Sequence, residues 1–206
     1  MLTDTFLKLV SNYTSNNALA NDLWLEIFTK YSDSKRHYHN IAHLENLIKE
    51  LRGVKDFVAD WETTLFALFY HDIIYKAKSN SNEEDSAKIA VERLTEIGYP
   101  PEKIEKCSQM IRATKTHKES SDSDCNLLLD ADLSILGSKP DEYREYLENI
   151  RKEYSMYPDF MYKGGRKKVL QQFLEMESIY KTLPFAAKFE KQARENIQNE
   201  LAELQG

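Results

Sequence analysis

Residues 61–75 read WETTLFALFYHDIIY, and this stretch decides which fold the sequence predicts. Apolar side chains fall on every side of a helix drawn through it, so we expect this helix to lie in the centre of the protein. His71 and Asp72 stand inside the same expected helix. A buried carboxylate needs a metal ion, another cation or strong hydrogen-bond donors. The simpler alternative is an ion pair from Asp72 to an arginine or lysine, with His71 hydrogen-bonded to the backbone.

Apolar residues recur at helical spacing along most of the chain, and alternating β-branched runs are missing. This pattern predicts an all-α fold. Glycines, including the pair Gly164-Gly165, fall between the expected helices, and the pair is interpreted as a turn before a helix. The predicted helices cover residues 4–14, 18–31, 40–52, 60–76, 83–97, 101–116, 124–136, 140–155, 166–182 and 186–204.

The composition of the 206-residue chain is that of a soluble globular protein, with 41% apolar and 30% charged residues. That length suits one domain. A net charge of -6 argues against binding duplex nucleic acid. Cys107 and Cys125 form no CxxC pair, no signal peptide is evident, and the longest apolar run is too short to cross a bilayer. We therefore expect a cytoplasmic protein.

Two histidines, His39 and His43, are four residues apart. On a helix they lie one turn apart and reach a common point, as two ligands of one metal ion do. The alternative is a helix start with two partly exposed histidines. Asn40 or His39 stands where a polar side chain could cap that helix.

A helical wheel separates the two aspartates of Asp130-Ala131-Asp132. Leu128, Leu129, Ile135 and Leu136 lie within about 60° of Asp132, whereas Asp130 lies about 160° away. We expect Asp132 to point into the core and to need a cation. Asp130 is expected to face solvent, or to reach back and support a metal ligand.

The order of these groups resembles the HD-domain superfamily of metal-dependent phosphohydrolases, and in particular a small bacterial branch of it. The resemblance covers most of the chain. The residues that carry it are Arg36-His37-Tyr38-His39-Asn40-Ile41-Ala42-His43, Phe69-Tyr70-His71-Asp72, Asn82-Glu83, Thr114-Lys115-Thr116-His117 and Leu129-Asp130-Ala131-Asp132-Leu133.

This resemblance implies a single-domain helical bundle of the HD type that binds one divalent metal ion. The implied ligands are one upstream histidine, the pair His71-Asp72, and Asp132. Both His39 and His43 qualify as the upstream ligand, and His43 matches the usual pattern slightly better. Only His117 is available for a second metal, which favours one ion. Iron, manganese, nickel, cobalt, zinc and magnesium are all candidates.

The implied activity is hydrolysis of a phosphoester, such as a nucleotide, by a metal-activated water. Asp72 and Glu83 are the candidate catalytic residues, with Glu83 as general acid or base. Glu84 more simply complements the helix dipole. Four cations, Arg36, Lys115, Arg151 and Arg166, are candidate phosphate contacts.

Two other interpretations of the same residues stay open. One is a module that binds a nucleotide or metal without turnover, and the other is a structural metal that closes the core of a bundle. The expected partner is a small phosphorylated substrate, with no nucleic-acid duplex and no membrane, and the protein is expected to be a monomer or homodimer. The C-terminal helix, which has Phe189, Ala193, Ile197, Leu201 and Leu204 on one face, is expected to pack on its own domain.

Overall fold

A computed structural model describes residues 2 to 205. Within that range the chain forms ten α-helices and no β-strand, and 72% of the residues are helical. The prediction of an all-α fold is confirmed. The helices are α1 (Leu2–Val10), α2 (Asn17–Tyr31), α3 (Ile41–Gly53), α4 (Trp61–Tyr70), α5 (Asn82–Glu96), α6 (Pro101–Ala113), α7 (Ser123–Asp132), α8 (Pro140–Glu153), α9 (Asp159–Glu175) and α10 (Leu183–Gln205). Short 3-10 segments occur at Lys55–Phe57 and Leu133–Gly137.

The helices group into two compact units. Residues up to Leu129 form the first, and residues from Asp130 onward form the second. A single domain of the HD type stays a prediction. None of the helices between residues 2 and 205 is long and apolar enough to cross a membrane.

Helix α4 lies in the centre of the first unit. Every residue from Thr63 to Tyr70 is buried, and α4 packs against α3, α5 and α6. The ring of Phe69 meets Phe6 of α1 edge to face, with 5.1 Å between the ring centroids. This burial on all sides is what the apolar stretch predicts.

Side-chain caps set the starts of α3 and α4. Asn40 Oδ1 accepts the backbone N–H of Ala42 at 2.9 Å at the start of α3. Asp60 accepts both the backbone N–H and the hydroxyl of Thr63, at 3.2 and 2.8 Å, at the start of α4. Each cap satisfies donors that the first helical turn leaves unpaired. The residue that caps α3 is thus Asn40.

Helix α4 ends earlier than the predicted helix over residues 60–76. Its last residue is Tyr70, so His71 and Asp72 follow the helix and do not lie inside it. The reason is tertiary. The carbonyls of Asp72 and Ile73 accept hydrogen bonds from Arg36, and the N–H of Ile74 donates to Ser86 on α5. These partners replace the hydrogen bonds that would continue the helix.

The second unit is built from α8, α9 and α10. Phe189, Ala193 and Ile197 line the buried face of α10, as the apolar spacing predicts. Gly137 lies against this face, and a Cβ added there would be 2.6 Å from the Cβ of Phe189. Only glycine therefore allows this approach.

The start of α9 corrects a second prediction. The helix begins at Asp159 rather than at residue 166, so Gly164 and Gly165 lie within it and form no turn. Pro158 stands just before the first helical residue, where its missing N–H costs nothing. Local glycine content predicted a break here, but α9 continues through both glycines.

Candidate metal centre

The ring of His71 has a defined orientation. This residue directly follows α4 and is 1% exposed, and its Nδ1 lies 2.8 Å from the carbonyl oxygen of Leu68. Because a carbonyl only accepts, we assign the proton to Nδ1, which donates to it. In the neutral imidazole, Nε2 then carries a lone pair. A histidine that binds a metal usually has this arrangement.

His43 approaches that lone pair from α3. It lies in the first turn of the helix, is 3% exposed, and has its Nε2 3.3 Å from Nε2 of His71. The cap at Asn40 fixes where the helix begins and thus which residues share this face. Two imidazole nitrogens, one from α3 and one from the segment that follows α4, therefore converge inside the first unit.

Asp72 adds a carboxylate on the same side. Its Oδ2 is 3.2 Å from Nε2 of His71 and 4.0 Å from Nε2 of His39. A carboxylate oxygen and a histidine lone pair repel each other unless a proton or a metal ion lies between them. This geometry requires positive charge at the cluster.

His39 stands beside Asp72 and is 19% exposed at its side chain. Its ring stacks on Tyr75, with 4.1 Å between the ring centroids, and lies 5.6 Å from the ring of His43. Both upstream histidines thus border the cluster. His43 faces His71, whereas His39 faces Asp72.

Asp132, the last residue of α7, is partly buried. This residue belongs to the second unit, and its role as a metal ligand stays a prediction.

The spacing of the donors suits a common ion. Two atoms that each bind one ion at about 2.1 Å lie about 3.0 Å apart at an octahedral angle and about 3.4 Å apart at a tetrahedral angle. The separations from His71 Nε2, 3.3 Å to His43 and 3.2 Å to Asp72, fall within that range. Nitrogen and carboxylate donors together match first-row divalent ions such as zinc, iron or manganese.

The exposure predicted for Asp130 is wrong. This residue is fully buried, and its carboxylate accepts the backbone N–H groups of Lys181 and Thr182 at 2.8 Å each, together with the Thr182 hydroxyl at 2.7 Å. Burial raises the pKa of Asp130, and these donors oppose the rise. The helical wheel could not detect donors from a segment fifty residues away. The wheel also predicted a buried Asp132, which is only partly buried.

The two glutamates at the start of α5 differ. Glu84 is bound to Arg112, with Oε2 accepting from Nε at 2.6 Å, and this hydrogen bond lowers the pKa of Glu84. Glu83 is partly buried, and within the described part of the chain its side chain makes no hydrogen bond or ion pair. Asn82 and Ser86 of the same helix bind the backbone at Lys76 and Ile74, just after the His-Asp pair. The catalytic role of Glu83 stays a prediction.

Two of the predicted phosphate contacts lie in the first unit. Arg36 is buried and donates to three backbone carbonyls, at His39, Asp72 and Ile73. Lys115 is exposed, and its ammonium donates to the carbonyl of Asn80 in the loop before α5. The contacts of Arg36 favour a structural role, and Lys115 stays a candidate for phosphate.

The other two predicted contacts lie in the second unit. Arg151 binds Asp159 at 2.6 Å and the carbonyls of Tyr154 and Tyr157. Arg166 forms a two-pronged ion pair with Glu200 at 2.7 and 2.9 Å. The pair is buried, with 10% and 5% of the two side chains exposed. Both guanidinium groups are held by neighbours in their own unit.

Several residues around the cluster carry no signal in the sequence. Leu68 contributes only its carbonyl oxygen, and Tyr31 accepts the backbone N–H of Asp72 at 3.1 Å. Tyr75 supports the ring of His39 by stacking. A tyrosine in an apolar pattern looks like core, so only the spatial arrangement identifies these supports.

Comparison with known proteins found no matching family, no matching curated protein and no matching solved structure. The arguments for function therefore rest on the geometry and chemistry of the residues.

Proposed function

We propose that the protein is a metal-dependent phosphohydrolase of the HD-domain type. The observation that carries the proposal is the convergence of His43 Nε2 and Asp72 Oδ2 on Nε2 of His71, at 3.3 and 3.2 Å. The order of these residues along the chain adds the resemblance described above. The fold and the cluster are both consistent with it.

His43, His71, Asp72 and Asp132 are the proposed ligands of one divalent ion, with His39 as the alternative upstream histidine. Leu68 holds His71 in the tautomer that directs a lone pair at the ion. Two carboxylates offset the charge of a divalent cation in a partly buried site. A bound ion of this kind lowers the pKa of its water and polarises a phosphoryl oxygen.

Glu83 is the proposed proton carrier. A carboxylate that accepts no hydrogen bond from its neighbours is able to take a proton from a water or to give one to a leaving alkoxide. Glu84 is less suited to carry a proton, because its hydrogen bond from Arg112 holds it as a carboxylate. Lys115 is the remaining proposed cation for the phosphate group in the first unit.

The first experiment measures metal content and hydrolysis together. Wild-type protein, Asp72→Ala and Asp132→Ala are analysed for bound metal and assayed on a nucleotide and phosphoester panel with manganese, cobalt, nickel, zinc or magnesium. We expect metal-dependent turnover in the wild type, and loss of both bound metal and turnover in each variant, because each removes a charged ligand. Asp85→Ala is the control, since Asp85 is an exposed aspartate of α5 that binds Ser81 and Lys88.

The outcomes separate the open alternatives. Bound metal without turnover on any substrate would favour the non-catalytic binding module. Full turnover in Asp72→Ala or Asp132→Ala would refute the proposed centre. Absence of metal in the wild type under every condition would remove the explanation offered for the His-Asp cluster.

A further inference from the structure

Arg36 is a buried arginine in the segment that joins α2 to α3. Only 8% of it is exposed, and among residues 2–205 no carboxylate lies within ion-pair distance of its guanidinium. A desolvated cation is costly unless other groups compensate its charge. The groups that surround Arg36 therefore indicate its role in the structure.

Three backbone carbonyls supply that compensation. Arg36 donates to the carbonyl oxygen of Asp72 at 2.7 Å, of Ile73 at 3.0 Å and of His39 at 3.3 Å. One guanidinium thus joins the segment before α3 to the segment after α4. Both segments carry candidate metal ligands.

Two tyrosines complete the arrangement. The guanidinium lies over the rings of Tyr31 and Tyr75, 4.9 and 5.7 Å from their centroids. The hydroxyl of Tyr31 accepts the N–H of Asp72 at 3.1 Å. Both backbone polar groups of Asp72 are consequently held, the carbonyl by Arg36 and the N–H by Tyr31. We call these two residues the Arg36–Tyr31 clamp.

We propose that the Arg36–Tyr31 clamp positions the metal ligands, and that Arg36 does not bind phosphate. By holding Asp72 at its backbone, the clamp fixes its carboxylate opposite His71. Arginine suits this task because its planar fork directs several N–H groups at separate carbonyls, whereas lysine offers one compact charge. The inference rests on the proposed metal centre.

The test is a titration with Co²⁺, followed by visible absorption, on metal-free wild type and Arg36→Lys. We expect the Kd for Co²⁺ to rise by about 10-fold or more in Arg36→Lys, because supports of metal ligands typically contribute that much. The visible bands of bound Co²⁺ should also change, since they report the geometry of its ligands. Urea unfolding of the metal-free proteins is measured in parallel.

Arg93→Lys is the matched control. Arg93 lies in the same unit, is partly buried, and binds Glu26 at 2.7 and 3.1 Å without contacting a candidate ligand. We expect Arg93→Lys to lower resistance to urea while the Kd and spectrum of Co²⁺ stay those of the wild type. A general loss of stability is thereby separated from an effect on ligand position.

Equal Kd and equal spectra in wild type and Arg36→Lys would overturn the clamp and leave the metal centre standing. Failure of the wild type to bind Co²⁺ would overturn the centre and the clamp together. If Arg36→Lys does not fold, Tyr31→Phe replaces it, because this variant keeps the ring and removes the hydroxyl that accepts the N–H of Asp72. An unchanged Co²⁺ spectrum and Kd in Tyr31→Phe would then count against the proposal.

Discussion

At the scale of single residues, the buried Asp130 and the partly buried Asp72 differ in the groups that surround their carboxylates. Asp130 is surrounded by donors from Lys181 and Thr182, which hold its charge without a metal. Asp72 instead directs an oxygen at the nitrogen of His71, an atom that itself offers a lone pair. The first arrangement relies on hydrogen-bond donors of the protein, whereas the second needs a proton or a metal ion between the two atoms.

The donors around Asp130 lead to a stability prediction. We expect Asp130→Ala to lower the free energy of unfolding by about 2 to 4 kcal/mol, because two N–H groups and a hydroxyl at the start of α10 lose their acceptor. Urea unfolding followed by circular dichroism measures this change. Asp141→Ala is the control, since Asp141 is exposed in the first turn of α8 and should cost only about 0.5 kcal/mol. Equal effects in the two variants would show that the hydrogen bonds of Asp130 add nothing to stability.

At the scale of the helices, α9 contains two glycines, Gly164 and Gly165, that no close packing contact requires. A Cβ added at Gly164 or Gly165 would meet nothing within 4 Å. Glycine in a helix interior costs about 0.5 to 1 kcal/mol relative to alanine, because it loses more backbone freedom on folding. These glycines therefore make α9 less stable than alanines at the same positions would.

That cost can be measured directly. We expect Gly164→Ala and Gly165→Ala each to raise the free energy of unfolding by about 0.5 to 1 kcal/mol. Gly137→Ala is the contrasting variant and should lower it, because the added Cβ would lie 2.7 Å from the backbone oxygen of Phe189. Thermal and urea unfolding of the three variants provide the comparison. Destabilisation by both α9 substitutions would contradict the helical assignment of these glycines.

At the scale of the whole molecule, stability in acid depends on carboxylates that bind groups far away in the sequence. Asp124 is buried and accepts the N–H groups of Ala59 and Asp60 at 2.7 and 2.9 Å and the ammonium of Lys106 at 2.8 Å. Burial alone would raise the pKa of Asp124, but these donors outweigh it and the pKa is lowered. The folded protein therefore binds this proton less readily than the unfolded chain.

The sign of the pH effect follows from that difference. The contribution of Asp124 is fully present above the unfolded pKa of about 3.9 and is lost as the pH falls through the lower folded value. We expect the stability advantage of the wild type over Asp124→Asn to shrink as the pH falls from about 5 toward 3. Urea unfolding at a series of pH values measures this, with Asp56→Asn as an exposed control. A constant difference across the range would rule out the linkage.

Local patterns in the chain were sufficient to predict the helical class and the burial of residues 63–70. These properties follow from the period of the apolar residues, and each depends on neighbours within one or two turns. The apolar period predicted the buried face of α10 for the same reason.

Other features depend on partners remote in the chain. Helix α4 ends at Tyr70 because Arg36 and Ser86 take the next backbone groups, and Asp130 is buried because residues 181 and 182 supply its donors. The orientation of His71 depends on a carbonyl, which every residue has and no side-chain pattern marks. Folding alone brings such groups together, since hydrogen bonds to the backbone depend on position in space and not on residue type.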